Sequence, residues 1–248
     1  MQYQLSRAIA GPILRAIGRP KVVGMENVPP SGAAILASNH LSIIDSVYLP
    51  LMVDRPVVFP AKAEYFTATG PVGRLWAAYL RATNQLRMDR EGARAAQATL
   101  DAALDLLRRG ELFGFYPEGT RSPDGRLYRG RSGIGWLTLN SGAPVIPVAM
   151  VGTRKMLPPG SWLLRPGRVE IRIGKPLDFG LLAGEPPAKA RRLVADEVMR
   201  AIRELSGQEY VHRYASDVKA ELEAAKAEQA AAKAAKRAKR AKSRASGS

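Results

Sequence analysis

The chain has 248 residues, 46% of them hydrophobic, which suits one domain with a buried core and excludes global disorder. Its 38 lysines and arginines against 22 acidic residues give a formal net charge of +16, so we expect an acidic partner: nucleic acid, an anionic membrane surface or an acidic carrier protein. Having no cysteine and only two histidines excludes a disulfide scaffold, a thiol nucleophile, Cys-ligated zinc and a His-rich metal cluster.

The start of the chain is predicted to form an amphipathic helix. Leu5, Ile9, Ile13 and Ile17 recur at four-residue steps, arginines flank them, and Pro20 ends the segment. Such a helix either lies in a membrane interface or packs on the domain in the ordinary way. No apolar run approaches the roughly 18–20 residues that span a bilayer, and no signal peptide is recognisable. We therefore expect a cytoplasmic protein, peripheral on the inner face of the cell membrane.

Strand-like and helix-like segments then alternate along the chain. Strands are predicted at 33–38, 57–60, 84–88, 112–116, 144–151 and 169–173. Helices are predicted at 42–51, 70–81, 93–109, 130–140 and 188–205. This alternation predicts an α/β fold: a single domain with a central, mostly parallel mixed sheet that helices cover.

The C-terminal segment carries much of the charge imbalance. From Lys226 to the end there are eight basic residues and one acid, Glu228, a local charge of +7. The composition favours helix but offers no apolar face, which indicates either a solvated helical tail or a polybasic strap for anionic lipid. Interleaved aromatics and nucleic-acid motifs are missing, so we expect no nucleic acid partner. The predicted organisation is an interface helix at 1–19, the main domain at 20–215 and a basic tail at 216–248.

His40 and Asp45 follow the first long strand. Within one continuous helix they would lie about 140° apart, so they can meet only if His40 lies in the turn before the helix. Ser42 as N-cap and Asp45 as the third helical residue have the form of a capping box, which predicts that arrangement. A carboxylate that orients an imidazole is the pair used in general-base catalysis. The alternative is a loop histidine beside an ordinary helix cap.

The segment Phe-Tyr-Pro-Glu-Gly-Thr-Arg-Ser at 115–122 follows another strand. Gly119 allows a ligand to approach the backbone, Thr120 can donate a hydrogen bond, and Arg121 can make a forked contact with phosphate. Taken by itself, the segment is a turn with a surface charge pair.

Two further segments complete the set of motifs. Arg87 and Arg90 lie at the end of a predicted strand. Pro147 lies inside an apolar strand, where the loss of a ladder hydrogen bond predicts a sheet edge or a bulge.

Taken together, these four segments resemble the glycerolipid acyltransferase family of the 1-acylglycerol-3-phosphate O-acyltransferase type. Their order and spacing match over residues 20–205. The chain departs from the family where Gln-Leu-Arg-Met-Asp-Arg replaces the commoner Gly-x-x-Phe-x-x-Arg, which leaves open whether Arg87 or Arg90 contacts the ligand. It departs again at Tyr116, where Phe is usual.

The resemblance implies transfer of a fatty acyl group from an acyl thioester, acyl-CoA or acyl carrier protein, to the free hydroxyl of 1-acylglycerol-3-phosphate. His40 would act as general base and Asp45 would orient it, without a covalent intermediate, a metal or a further cofactor. The resemblance assigns substrate binding to Glu118, Gly119, Thr120, Arg121, Arg87 or Arg90, and the Pro147 segment, with Lys62 as a further basic candidate. The alternatives are glycerol-3-phosphate or another lysophospholipid as acceptor, and a binding module without activity.

Overall fold

The computed structural model describes residues 2–88, 92–161, 163–182 and 184–245. The strands are β1 (Lys21–Val23), β2 (Ala34–Ser38), β3 (Val57–Val58), β4 (Pro60–Lys62), β5 (Leu86–Met88), β6 (Leu112–Phe115), β7 (Leu127–Tyr128), β8 (Val145–Val151), β9 (Glu170–Ile173) and β10 (Tyr210–Val211). The helices are α1 (Gln2–Gly18), α2 (Asp45–Met52), α3 (Ala63–Phe66), α4 (Gly70–Ala82), α5 (Gly92–Arg108), α6 (Gly133–Ser141), α7 (Thr153–Met156), α8 (Pro187–Ser206) and α9 (Ala215–Ala245). Within these described ranges, no helix is long and apolar enough to cross a membrane.

A central sheet with the strand order β1-β9-β8-β2-β6-β3 organises the domain. Every neighbouring pair is parallel except β8 and β9, which are antiparallel. Two small parallel pairs, β4 with β5 and β7 with β10, lie outside it. The predicted α/β domain with a mostly parallel mixed sheet is therefore confirmed.

Helices cover both faces of this sheet. Strand β2 is buried throughout, and its alternate side chains serve two separate cores. Ala34 and Leu36 face a core that α1, α2 and α4 share, whereas Ile35 and Ala37 face a core built with α5, α6 and α8. An uninterrupted apolar run is what such a doubly covered strand requires.

Pro147 lies inside the sheet, because β8 is flanked by β2 and β9. The edge position is therefore wrong, but the bulge is present. Val145 pairs with Leu177 and Val148 with Ile173, so three steps along β8 correspond to four along the partner segment. Gly174 fits this irregularity, since a Cβ there would come within 2.9 Å of the Pro147 ring.

The predicted N-terminal helix packs on the domain through one side of its second half. Ala10, Leu14 and Ile17 contact the core shared with α2 and α4, whereas Ile13 is 57% exposed. The side chains of Leu5 and Ile9 lie outside what the structure describes. The stripe is therefore divided: Ile17 packs on the domain and Ile13 faces solvent, and the membrane interface stays a prediction.

The C-terminal helix α9 does not begin as a separate tail. Ala215 and Val218 are buried and form a small cluster with Tyr128. The boundary predicted at residue 216 falls within a helical turn that packs on the domain. Beyond Val218 the described side chains are exposed.

Candidate active site

His40 and Asp45 meet at the carboxyl end of β2. His40 lies in the turn after the strand and Asp45 is the first residue of α2, so Nδ1 of His40 is 3.0 Å from Oδ2 of Asp45. The same oxygen accepts the backbone N–H groups of Leu41 and Ser42, each at 2.7 Å. Asp45 is fully buried, and its other oxygen has no hydrogen-bond partner among the described residues. The Asp45 side chain therefore holds both the turn and the imidazole ring of His40, which lies in that turn.

The predicted capping box is wrong in detail. The helix begins at Asp45, and Ile44 occupies the cap position without a side-chain bond. The hydroxyl of Ser42 donates instead to the carbonyl of Leu157 at 2.8 Å. Only the reciprocal half of a capping box remains, in which the acidic side chain reaches back to the Ser42 N–H.

The ring of Tyr116 stacks on the imidazole of His40. Their centroids are 3.8 Å apart and the planes differ by 10°. The phenol hydroxyl shares a hydrogen bond of 2.8 Å with Ser46 Oγ. Burial and the charge of Asp45 raise the pKa of Tyr116 well above its usual value, against the lowering effect of the Ser46 bond, so this hydroxyl keeps its proton. The replacement of Phe by Tyr thus adds a hydrogen bond beside His40.

Glu118 contacts the backbone of the His40 turn. It does not line the cavity beside His40, where the resemblance implies substrate contacts. Its side chain accepts the N–H of His40 at 3.2 Å and the N–H of Tyr128 at 3.0 Å, one on each oxygen. Burial raises the pKa of Glu118 to about 8, although the two backbone N–H groups act in the opposite direction. The carboxyl group therefore fastens the His40 turn to β7.

Asn39, the residue before His40, fastens the other side of the turn. Its side chain accepts the N–H of Met150 at 2.7 Å and donates to the carbonyl of the same residue at 3.0 Å. This pair of bonds joins the end of β2 to the end of β8. His40 is consequently held between two strands and has little freedom to move.

A cavity of about 100 Å³ opens beside His40. Its polar lining consists of His40, Ser46, Lys62, Tyr65, Gln85, Tyr116, Thr120, Arg121 and Lys219. Its apolar lining includes Ile43, Phe59, Trp76 and Leu80. The cavity thus places an imidazole and three cationic side chains beside an apolar wall.

The structure brings together only some of the residues that the sequence indicated. Lys62, Thr120 and Arg121 line the cavity with His40. Gly119 is exposed in the same turn, and its φ of 71° favours glycine.

The other candidates lie elsewhere. Arg87 is exposed on β5, and Pro147 is buried within the sheet, so the described cavity includes neither. Arg90 lies outside the described residues.

Sequence reasoning missed Ser46 and Lys219. Ser46 follows Asp45 directly, but nothing in the local pattern distinguishes its hydroxyl. Lys219 belongs to a helix that the charge distribution assigned to a tail. The available signal was the apolar pair Ala215 and Val218, spaced three residues apart, which indicates a packed helix face.

Comparison with known proteins identifies several relatives. The family model described as Acyltransferase matches residues 19–151. The 1-acyl-sn-glycerol-3-phosphate acyltransferase BAT2, chloroplastic, of Brassica napus is 33% identical over 180 residues, covering 71% of this chain and 50% of that protein. The 1-acyl-sn-glycerol-3-phosphate acyltransferase of Bacillus subtilis (strain 168) is 26% identical over 198 residues, covering 79% of this chain and 92% of that protein.

A solved structure shares the fold. The crystal structure of the 1-acyl-sn-glycerophosphate (LPA) acyltransferase PlsC from Thermotoga maritima aligns with a TM-score of 0.62 and 26% identity, over 82% of this chain and 79% of that one. The present chain spans about half the length of the plant and algal relatives that it resembles.

Proposed function

The chain belongs to the acyltransferase family, and from that premise we propose that it acylates 1-acylglycerol-3-phosphate to phosphatidate with an acyl thioester as donor. The observation that carries this proposal is the hydrogen-bonded His40–Asp45 pair beside a cavity lined by cations. The names of the Brassica and Bacillus relatives, both 1-acyl-sn-glycerol-3-phosphate acyltransferases, support the choice of acceptor.

The His40–Asp45 pair suits base catalysis of alcohol attack. With the Nδ1 proton donated to Asp45, Nε2 is the ring nitrogen that takes the proton of the acceptor hydroxyl. The acceptor oxygen forms a bond to the thioester carbonyl carbon, and the carbon–sulfur bond then breaks. The imidazolium returns its proton to the departing thiolate, while Asp45 stabilises the imidazolium in between. Because the thioester is already activated, the acyl group passes directly to the acceptor.

The cavity lining suits the two ends of an acylated glycerol phosphate. Arg121 offers the forked donor geometry that matches phosphate oxygens, and Lys62 adds a second cation. Trp76 and Leu80 of α4 provide apolar surface for an acyl chain. The donor is acyl-CoA or acyl carrier protein, since the net charge of +16 suits either anionic carrier.

An anionic membrane surface is the proposed site of action. Helices α1 and α4 contact each other, and each exposes an apolar side chain, Ile13 at 57% and Leu75 at 73%. The exposed Arg15 and Arg74 accompany them. Apolar insertion together with anionic-lipid attraction is the combination by which peripheral proteins bind bilayers.

A thioester-release assay tests the proposed activity. We expect the purified protein to release thiol from acyl-CoA with lysophosphatidate, and mass spectrometry to identify phosphatidate. Glycerol-3-phosphate and a neutral lysophospholipid serve as competing acceptors. His40→Ala should lower the rate about 10²–10⁴-fold. His212→Ala is the matched control, because that histidine is exposed and belongs to a different segment.

Two results would contradict the proposal. If the activity of His40→Ala stays within about threefold of that of the unchanged protein, His40 is not the general base. Preference for an acceptor without phosphate would remove lysophosphatidate as the substrate.

A further inference from the structure

We infer that Lys219 of α9 binds a phosphate group of one of the two substrates and completes the cationic side of the cavity. This inference rests on the proposed function and names a residue beyond it. Lys219 lies outside residues 19–151, the segment that the family model matches. Nevertheless it lines the same cavity as His40 and Arg121.

The position of Lys219 is fixed by the packing of the helix that carries it. The preceding residue, Val218, is buried against Tyr128, and Ser216 accepts a hydrogen bond from Arg131 at 2.8 Å. The N–H of Tyr128 in turn donates to Glu118, which also holds the N–H of His40. The first turn of α9 is thus anchored to the structure that holds the catalytic turn, and this anchoring keeps Lys219 at the cavity.

The local ion pair of Lys219 does not account for its placement. Its Nζ lies 3.8 Å from Glu223 Oε1, beyond hydrogen-bonding distance, and both side chains are substantially exposed. A lysine four residues before a glutamate is also the less favourable order for a helical pair. An exposed ion pair of this kind contributes little to the stability of the fold. The ammonium group therefore remains available for an incoming anion.

The three cations of the cavity match a doubly charged ligand. Lys62 is paired with Glu64 at 2.9 Å, which neutralises part of its charge. Among the described residues, no acidic side chain forms an ion pair with Arg121. A phosphate monoester carries close to two negative charges near neutral pH, so Arg121 and Lys219 together balance it better than Arg121 alone. Both the acceptor's phosphate and the phosphates of coenzyme A have this chemistry.

Steady-state kinetics with a matched control tests the inference. Lys219→Ala is compared with Lys226→Ala, which removes an exposed lysine about two turns further along nearly the same face of α9. Lysophosphatidate is varied at saturating acyl-CoA, and acyl-CoA at saturating lysophosphatidate. We expect Lys219→Ala to raise one KM about tenfold with little change in kcat, as for a lost charge-assisted hydrogen bond. Lys219→Arg should restore that KM, and Lys226→Ala should change neither.

The two arms separate the sources of the phosphate. A raised KM for lysophosphatidate assigns Lys219 to the acceptor, and a raised KM for acyl-CoA assigns it to the donor. Inorganic phosphate should inhibit competitively against that same substrate, and less strongly in Lys219→Ala. If both KM values and the inhibition constant of Lys219→Ala stay within about twofold of the unchanged protein, the inference is overturned.

Binding measurements keep this test independent of the proposed activity. If the unchanged protein turned over no phosphorylated acceptor, the proposed function would fail on that result alone. Calorimetric titration with coenzyme A and with inorganic phosphate would then examine Lys219 directly. Weaker binding by Lys219→Ala than by Lys226→Ala supports the inference. If the two variants bind coenzyme A equally well and also bind inorganic phosphate equally well, the inference is overturned.

Discussion

Glu118 should make the stability of the protein depend on pH in an unusual direction. The residue is 1% exposed, and burial raises the pKa of its carboxyl group from 4.5 to about 8. The unfolded chain loses this proton near its ordinary pKa, whereas the folded chain keeps it until about pH 8. Between these values the folded state binds more protons, so the free energy of unfolding falls as pH rises. The contribution is fully present below the unfolded pKa and is lost as pH rises through the folded one.

The size of the effect follows from the shift. Between the unfolded and folded pKa values, each pH unit lowers the free energy of unfolding by about 1.4 kcal/mol. The total contribution of Glu118 is therefore about 5 kcal/mol. Glu118→Gln removes the titration. It also turns an amide NH₂ towards one of two backbone N–H groups, which costs about 1–3 kcal/mol at a buried site.

Urea denaturation at several pH values between about 5 and 8 measures both effects. We expect Glu118→Gln to be clearly less stable than the unchanged protein near the acid end. The difference should narrow as pH rises and reverse towards pH 8, because the unchanged protein loses about 5 kcal/mol from this group whereas the amide costs only about 1–3 kcal/mol. Parallel curves for the two proteins would show that Glu118 titrates alike in the folded and unfolded states, and would refute the reasoning.

Three further predictions concern the cavity, the exposed apolar side chains of α1 and α4, and the basic C-terminal segment. Tyr116→Phe keeps the ring on the imidazole and removes only the hydroxyl, so thermal unfolding should show a loss of about 1 kcal/mol while activity falls less than about threefold. Joint replacement of Ile13 and Leu75 by Asp should release the protein from anionic vesicles at every salt concentration, as measured by flotation. Deleting 226–248 should weaken vesicle binding chiefly at low salt, because charge attraction is screened within about 10 Å at 0.1 M. If the Ile13/Leu75 double variant binds vesicles as well as the unchanged protein does, these two side chains do not insert into the membrane.

The longer elements of the fold were predictable because their patterns are strong and local. The apolar run at 33–38 and the amphipathic segment at 188–205 correspond to β2 and α8. The segment predicted as one strand at 57–60 forms two, β3 and β4, in different sheets. The N–H of Phe59, between them, donates to the side chain of Gln85 at 2.7 Å. Such a switch depends on a contact 26 residues away, which no local pattern contains.

The candidate site was predictable to the same extent. Because His40 and Asp45 belong to one strand–turn–helix unit, their meeting follows from local geometry. The role of Glu118 does not, since it depends on contacts with backbone groups 78 and 10 residues away. A conspicuous acidic residue in a motif suggested a ligand contact, whereas the buried carboxyl supports the turn.

The placement of α9 shows why the cationic cavity could not be foreseen from charge distribution. The pairing of β7 with β10 joins only Leu127 to Tyr210 and Tyr128 to Val211, too few residues for an alternating pattern to register. Yet this short pair leads directly into α9 and sets its first turn against Tyr128. The basic composition that follows made the whole segment appear to be one solvated tail. Packing divides it instead after Val218, so that Lys219 belongs to the cavity and the lysines beyond it belong to the surface.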